Sequence, residues 1–210
     1  MDPRSNPGIL KLGIFGGAFD PPHKTHAALI ELAVQQLQLD EIRVLPTGNA
    51  WHRSHQPEAA VHRLAMAELA FCGLDKVVVD ARETRRVGPT YTVDTLRELK
   101  TENPSAELFL IIGEDQARAF TTWHEWQVIA NSAIICVAGR ACLAGAGAIF
   151  SPPKSFETRF LTLSLPSSPI SATEIRQRIA RHENVAPLVG EGVARYIAAH
   201  HLYQTPLRTT

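Results

Sequence analysis

Residues 13–26 read GIFGGAFDPPHKTH, a stretch in which an apolar run is followed by glycines, prolines and histidines. The apolar run at residues 9–15 predicts a first β-strand. At its end, Gly16 and Gly17 let the backbone turn tightly and approach a ligand closely. Two prolines then fix the approach to a helix that begins near His23. The stretch therefore predicts a strand, a tight loop and a helix in succession.

The same alternation continues along the chain. Short apolar runs and stretches of helical spacing follow one another, with strands predicted at residues 42–45, 76–80, 108–112 and 133–138 and helices at 29–37, 58–71 and 92–100. This order predicts an α/β fold with a doubly wound, Rossmann-like parallel sheet and helices on both faces. A small C-terminal portion, from about residue 167, is predicted to be mainly helical and to pack against the carboxyl edge of the sheet. Ligands of such folds bind at that edge, near the point where the strand order reverses.

Composition limits the kinds of protein that the chain can be. Its 210 residues are 45% hydrophobic and 20% charged, and 21 Lys+Arg balance 21 Asp+Glu. This length fits a single domain, expected at residues 9–204, with a core that needs no metal or disulfide. The composition excludes a disordered or fibrous chain, and zero net charge argues against nucleic acid or an anionic membrane as a partner. An anionic ligand would therefore be bound by a local cluster of residues.

Three features bear on the compartment. The three cysteines lack CxxC spacing and are too few for a disulfide framework, which favours a reducing environment. Residues 1–8 are polar and contain two prolines, so we expect a disordered N-terminal extension and not a signal peptide. The longest apolar tract, at residues 133–150, is interrupted by an arginine and several glycines. We therefore expect a cytoplasmic protein, and the sequence gives no indication of its oligomeric state.

Two histidines stand at the start of the first predicted helix. His23 and His26 are three residues apart, so both project from one face of the first turn. A helix N-terminus that carries two imidazoles favours an anion by geometry and by charge. Two alternatives remain open for the pair: a zinc site, for which no third ligand is obviously placed, or histidines that are simply hydrogen-bonded in the core.

The whole first loop resembles the phosphate-binding motif of the nucleotidyltransferase superfamily, G-x-F-D-P-x-H-x-G-H. Six residues match it in order: Gly17, Phe19, Asp20, Pro21, His23 and His26. The glycine between the two histidines of the motif is Thr25 here. The resemblance implies that His23 and His26 are catalytic and that Gly16, Gly17 and Phe19 lie at the ATP phosphates.

A second string near the C-terminus, ISATEIR at residues 170–176, also predicts a helix N-terminus. Ser171 and Glu174 have the spacing of a capping box, and for Ser171 alone capping is the favoured role. Thr173 and Arg176 share a face, where a hydroxyl and a guanidinium can meet one anion. The string resembles the superfamily's I-S-S-T-x-I-R signature, with Ala172 replacing the second serine. The resemblance implies a catalytic Arg176, with Ser171 and Thr173 at the ATP phosphates.

Four shorter features lie between the two signatures, and each alone is compatible with a capping, surface or core role. His52 and Arg53 follow the second strand, where a basic pair can reach a phosphate. Thr92 begins a predicted helix and offers its amide and hydroxyl. Asp115 follows the fourth strand and suits a ribose hydroxyl or a metal-bound water. Trp123 lies in the first turn of a helix that Thr122 and Glu125 are predicted to cap, where it can stack on a flat ring.

Together these strings resemble the nicotinate-nucleotide adenylyltransferase family. The resemblance implies transfer of the adenylyl group of ATP to nicotinate mononucleotide, with Mg²⁺ bridging phosphate oxygens and few protein ligands for the metal. It also implies that His52, Arg53 and Asp115 bind ATP, that Trp123 stacks on the pyridine ring and that Thr92 holds its carboxylate. The alternatives are another transferase of the superfamily, such as pantetheine-phosphate adenylyltransferase or a cytidylyltransferase, and a nucleotide-binding module without catalysis.

Overall fold

Parallel strands in the order β3-β2-β1-β4-β5-β6 form the sheet of the computed structural model, which describes residues 9–48, 57–140, 151–165 and 170–204. The strands are β1 (Lys11–Gly17), β2 (Glu41–Pro46), β3 (Val77–Val79), β4 (Glu107–Gly113), β5 (Ile134–Arg140) and β6 (Phe160–Leu165). The order reverses between β1 and β4, which is the doubly wound, Rossmann-like arrangement that the sequence predicts. The edge strand β6 was not predicted. The expected extension at residues 1–8 lies outside the described residues.

Helices connect these strands and cover both faces of the sheet. They are α1 (Lys24–Leu37), α2 (Ala60–Phe71), α3 (Arg82–Arg85), α4 (Thr92–Glu102), α5 (Glu114–Arg118), α6 (Trp126–Ser132), α7 (Ala172–Ala180), α8 (Ala186–Val189) and α9 (Glu191–Ala199). In the part of the chain described, no helix is both long and apolar enough to cross a membrane.

The two faces of the sheet carry separate cores because successive side chains of a strand point to opposite sides. Leu110 of β4 packs in a cluster with Leu96 of α4 and Ile129 of α6. Its neighbour Ile111 packs in a second cluster with Ile30 of α1. Both faces are therefore buried, and this explains why the central strands are continuous apolar runs in the sequence.

The C-terminal helices form a third core. Ile175 of α7, Val189 of α8 and Ile197 of α9 cluster with Met66 of α2, and no strand residue belongs to this cluster. The C-terminal portion is helical as predicted, but among the described residues its apolar core forms with α2 and not with a strand. It reaches the carboxyl edge of the sheet through side-chain bonds to the loop that follows β1.

Candidate active site

His23 and His26 lie together at the N-terminus of α1, beyond the carboxyl end of β1. Their rings are stacked, with centroids 3.8 Å apart and an interplanar angle of 29°. His23 is the N-cap residue, and its backbone N–H donates to Nδ1 of His26 at 3.2 Å. The sequence prediction of two imidazoles on one face of the first turn is therefore confirmed.

The two imidazoles are neutral at pH 7. Burial lowers the pKa of His23 to about 4, and burial together with the neighbouring His23 lowers the pKa of His26 to about 3. Their spacing in the sequence does not indicate this desolvation. Neutral rings act instead as hydrogen-bond donors. The His23 side chain is 7% exposed, and its buried Nδ1 has no hydrogen-bond partner among the described residues.

Phe19 packs against the His26 ring of this pair from the protein interior. Its ring contacts the His26 ring edge-on at 5.2 Å and is only 2% exposed, packed between Phe15 and Phe71. The residue has a positive φ of 49°, which is costly for a bulky side chain and is maintained by this packing. Any contact of Phe19 with a phosphate therefore has to come from its backbone. A Cβ at Gly17 would lie 3.1 Å from the Phe19 ring, so a larger residue at this position would crowd that ring.

The two signatures from opposite ends of the sequence meet in the fold. Nη1 of Arg176 in α7 donates to the backbone oxygen of Asp20 at 2.7 Å, across 156 residues of sequence. The same nitrogen lies 3.8 Å from Oδ2 of Asp20, whose side chain is buried. Arg176 also donates to Oγ1 of Thr173 at 3.3 Å. Arg176 and Thr173 are thereby held beside the loop that leads into His23.

Ser171 is the N-cap of α7, as its local sequence predicts. Its Oγ accepts the backbone N–H of Glu174 at 3.2 Å. This contact leaves the serine hydroxyl hydrogen available to a ligand. The Glu174 side chain accepts a hydrogen bond from Arg178 at 2.6 Å, so the glutamate pairs along the helix surface.

Arg63 of α2 forms hydrogen bonds to three segments around the site. Its side chain is 2% exposed and donates to the backbone oxygens of Glu58 at 2.8 Å, Ala18 at 2.9 Å and Gly48 at 3.3 Å. These oxygens belong to the segment before α2, the loop after β1 and the loop after β2. One buried guanidinium therefore fixes three segments at the carboxyl edge of the sheet.

The strings around Thr92 and Trp123 also come together. Thr92 is the first residue of α4, where backbone N–H groups have no partner in a preceding turn. The ring of its neighbour Tyr91 lies 4.4 Å from the ring of His124. Trp123 is half-buried against Phe120, with ring centroids 5.5 Å apart.

The helix start predicted at Thr122 is wrong. The Thr122 hydroxyl donates back to the carbonyl of Ala119 at 2.7 Å within a short 3-10 turn, and α6 begins only at Trp126. Threonine hydroxyls readily bond to nearby carbonyls, and this competes with capping. Trp123 is therefore in the loop before α6 and not in the first turn of a helix.

Gly48, in the loop after β2, lies close to Glu83 and Thr90 of the segment that leads into α4. A Cβ at this position would lie 2.1 Å from the backbone oxygen of Glu83 and 2.9 Å from Oγ1 of Thr90. That threonine oxygen is buried and has no hydrogen-bond partner among the described residues. Glu83 is 5% exposed and accepts a hydrogen bond from Thr95 at 2.8 Å. Burial raises the pKa of Glu83 to about 7.

The other predicted residues are less tightly placed. Gly16 is exposed at the end of β1, and a Cβ there would meet no atom within 4 Å. Asp115 is exposed in the short helix α5, directly beyond β4. His52 and Arg53 lie outside the described residues.

The donor atoms around the two histidines limit which metal ions they could bind. In the described ranges, no group of three or more His, Cys, Asp or Glu residues is arranged to hold a metal ion. Imidazole nitrogens are poor ligands for Mg²⁺, which prefers oxygen and usually keeps several waters. A Mg²⁺ ion at this site would therefore take mainly oxygen ligands and waters, not the two imidazoles.

Sequence reasoning assigned no role to four residues that shape the site: Asp20, Arg63, Thr90 and Tyr203. Asp20 was recognised only as part of a motif. Arg63 had a usable signal, since it shares a helix face with the apolar residues Met66, Ala67 and Phe71. Tyr203 had none, because its hydroxyl bonds to Oδ1 of Asp20 across 183 residues.

Comparison with known proteins places the chain in a family. Residues 14–178 match the family model described as cytidylyltransferase-like. A protein of Albidiferax ferrireducens, named as a probable nicotinate-nucleotide adenylyltransferase, is 60% identical over 195 residues that cover 93% of this chain and 98% of the relative. A protein of the same name from Methylibium petroleiphilum is 39% identical and covers 93% of both chains.

Solved structures support the fold. Nicotinic acid mononucleotide adenylyltransferase of Plasmodium falciparum, complexed with NaAD, superposes with a TM-score of 0.74 at 18% identity, covering 92% of this chain and 97% of that chain. A putative nicotinate-nucleotide adenylyltransferase of Vibrio parahaemolyticus superposes with a TM-score of 0.66 at 17% identity, covering 95% and 98%. At such identities these structures bear on the fold alone. With its cytidylyltransferase-like domain and a relative at 60% identity, the chain belongs to the nicotinate-nucleotide adenylyltransferase family.

Proposed function

We propose that this chain transfers the adenylyl group of ATP to nicotinate mononucleotide and releases pyrophosphate, a step in NAD biosynthesis. The observation that carries the proposal is the bond between Arg176 and the backbone of Asp20 at 2.7 Å. It joins the two phosphate signatures, one bearing His23 and His26 and the other bearing Thr173. The name carried by the 60% identical relative supports nicotinate mononucleotide as the acceptor.

The reaction asks little covalent chemistry of the protein. A phosphate oxygen of nicotinate mononucleotide attacks the α-phosphorus of ATP, a new oxygen–phosphorus bond forms, and the bond to the bridging oxygen of the β-phosphate breaks. The products are deamido-NAD and pyrophosphate. Because the nucleophile is already an anion, no general base is needed, and the protein contributes orientation and charge stabilisation.

That stabilisation comes from His23, His26, Thr173 and Arg176. His23 and His26 donate from neutral rings to oxygens of the α- and β-phosphates, where negative charge shifts as the leaving group departs. Arg176 carries the positive charge that the histidines lack, and Thr173 adds a hydroxyl donor. Mg²⁺ bound with ATP supplies further charge neutralisation across the phosphates. Gly16, Gly17 and Phe19 offer backbone, and Ser171 a hydroxyl, to the same phosphates.

In this proposal, nicotinate mononucleotide binds near Thr92 and Trp123. The backbone N–H of Thr92 at the start of α4 is available to its carboxylate, and the half-buried Trp123 offers a surface for its ring. The exposed Asp115 is suited to a ribose hydroxyl of ATP. His52 and Arg53 remain proposed as a basic clamp on the ATP phosphates. The free thiols of Cys72 and Cys136 support a reducing, cytoplasmic location.

The test is pyrophosphate release from Mg-ATP with different acceptors offered side by side: nicotinate mononucleotide, nicotinamide mononucleotide and phosphopantetheine. We expect release with the first and much less with the others. A preference for nicotinamide mononucleotide would overturn the acceptor assignment and keep the transferase. Release only with phosphopantetheine, or none with any acceptor from folded protein that binds ATP, would overturn the proposed function.

A further inference from the structure

Tyr203, which follows α9, contacts Asp20 in the loop after β1, although Tyr203 lies outside both signatures. Its hydroxyl donates to Oδ1 of Asp20 at 2.7 Å, and its backbone N–H donates to Oε1 of Glu58 at 3.4 Å. Burial, and next the Asp20 carboxylate, raise the pKa of Tyr203 above its ordinary value. The phenol therefore keeps its proton and remains a donor throughout the working pH range.

The Asp20 carboxylate is shared by several groups. Oδ1 also accepts the backbone N–H of Glu58 at 3.2 Å, so this oxygen receives two hydrogen bonds. Oδ2 lies 3.8 Å from Nη1 of Arg176, which is an ion-pair distance but too long for a hydrogen bond. The guanidinium bonds instead to the Asp20 carbonyl at 2.7 Å and to Thr173 at 3.3 Å.

We infer that Tyr203 is a positioning residue for Arg176 in ATP binding. By donating to Oδ1, the phenol stabilises the buried carboxylate of Asp20 and keeps Arg176 from moving onto it. The guanidinium then stays at the Asp20 carbonyl and Thr173, directed at the triphosphate. This inference rests on the proposed function, because it takes ATP as the ligand of Arg176.

Removing the hydroxyl leaves Oδ1 with one donor inside a buried site. A buried carboxylate that loses a partner draws the nearest cation towards itself, since desolvated charge without a partner is costly. In Tyr203→Phe that cation is Arg176, and its interaction with the ATP phosphates weakens. We expect the Kd and the KM for ATP to rise about tenfold, with the KM for nicotinate mononucleotide changed by less than about twofold.

Tyr196→Phe is the matched control. Tyr196 belongs to α9, and its hydroxyl also makes a hydrogen bond between chain segments, to Nδ1 of His62 in α2 at 3.0 Å. In the described structure, Tyr196 has no hydrogen bond to the loop after β1. A general loosening of the C-terminal helices would therefore appear in both variants, whereas a positioning role appears only in Tyr203→Phe.

The experiment measures calorimetric binding of Mg-ATP without acceptor, and then steady-state kinetics with both substrates. Weaker ATP binding in Tyr203→Phe alone supports the inference. Equal ATP binding in wild type and Tyr203→Phe, or an equal loss in the Tyr196→Phe control, overturns it. A wild type that binds ATP but makes no deamido-NAD overturns the proposed function instead, and the binding data still decide the inference.

A second measurement covers the case in which Tyr203→Phe does not fold. The full chain is prepared with 3-fluorotyrosine at position 203 or at position 196, and the ¹⁹F signal is followed as Mg-ATP is added. We expect a shift at position 203, because ATP binding changes the environment of Asp20 and Arg176, and none at position 196. A signal at position 203 that does not respond to saturating ATP overturns the inference.

Discussion

Replacing Gly48 by alanine tests the point where the two halves of the site touch. The added Cβ would lie 2.1 Å from the Glu83 backbone oxygen, whereas ordinary contact begins at about 3.4 Å. The backbone has to move by about 1.3 Å to relieve this clash, because a carbonyl oxygen cannot rotate away as a flexible side chain can. Gly48 does not have a positive φ, so the cost is steric.

Both stability and activity should fall. Overpacking of this kind costs about 1–3 kcal/mol, which lowers the Tm of a protein of this size by roughly 2–12 °C. The displaced segment leads from Glu83 to Thr90 and Thr92, and a misplacement of about 1 Å near reacting groups can cost about a hundredfold in rate. We expect kcat/KM for nicotinate mononucleotide to fall by about that factor.

Calorimetry and steady-state kinetics measure these effects, and Gly73→Ala provides the control. A Cβ at Gly73, in the turn after α2, would meet no atom within 4 Å. That variant should match or slightly exceed the wild-type Tm, since alanine restricts the unfolded chain. A Gly48→Ala protein with wild-type Tm and wild-type kcat/KM would refute the argument that Gly48 is required by this close approach.

Three further predictions concern single side chains. His23→Ala should lower kcat about 10²–10⁴-fold in steady-state assays, and an unchanged kcat in folded protein would contradict a catalytic role for His23. Trp123→Ala should raise the KM for nicotinate mononucleotide about tenfold through lost stacking and leave the KM for ATP unchanged; an equal rise in both would contradict a pyridine contact. Glu83 has its pKa raised to about 7, so its contribution to stability is complete below pH 4.5 and is lost as the pH rises through 7. The wild type should therefore lose about 2–3 kcal/mol more than Glu83→Gln between pH 5 and pH 8 in urea unfolding, and equal losses would refute this assignment.

Most of the sheet could be predicted because its central strands are buried on both faces. The run Glu107–Gly113 is almost wholly apolar, and no competing reading fits so short a stretch between helical segments. Strand β6 at Phe160–Leu165 was missed although its leucines recur at every second position, 161, 163 and 165, which is the period of a strand. It is a short edge strand, and of two leucines on one face Leu163 is 1% exposed whereas Leu161 is 43% exposed.

The site was predictable to the extent that its residues lie within local motifs. His23 and His26 are neighbours on one helix turn, so their proximity follows from spacing alone. Their lowered pKa values do not, because desolvation depends on groups distant in sequence. The same holds for Arg63 and Tyr203, whose partners in the first loop are 45 and 183 residues away.

The bond between Tyr203 and Asp20 also has a consequence for the order of events during synthesis. The strands β1, β2 and β4 end by residue 113, so they can pair, and His23 and His26 can stack, before the C-terminal helices have been synthesised. The carboxylate of Asp20 receives its phenol donor only after residue 203 has emerged. A nascent chain therefore carries the first loop long before the Asp20 carboxylate has all the hydrogen bonds of the folded protein.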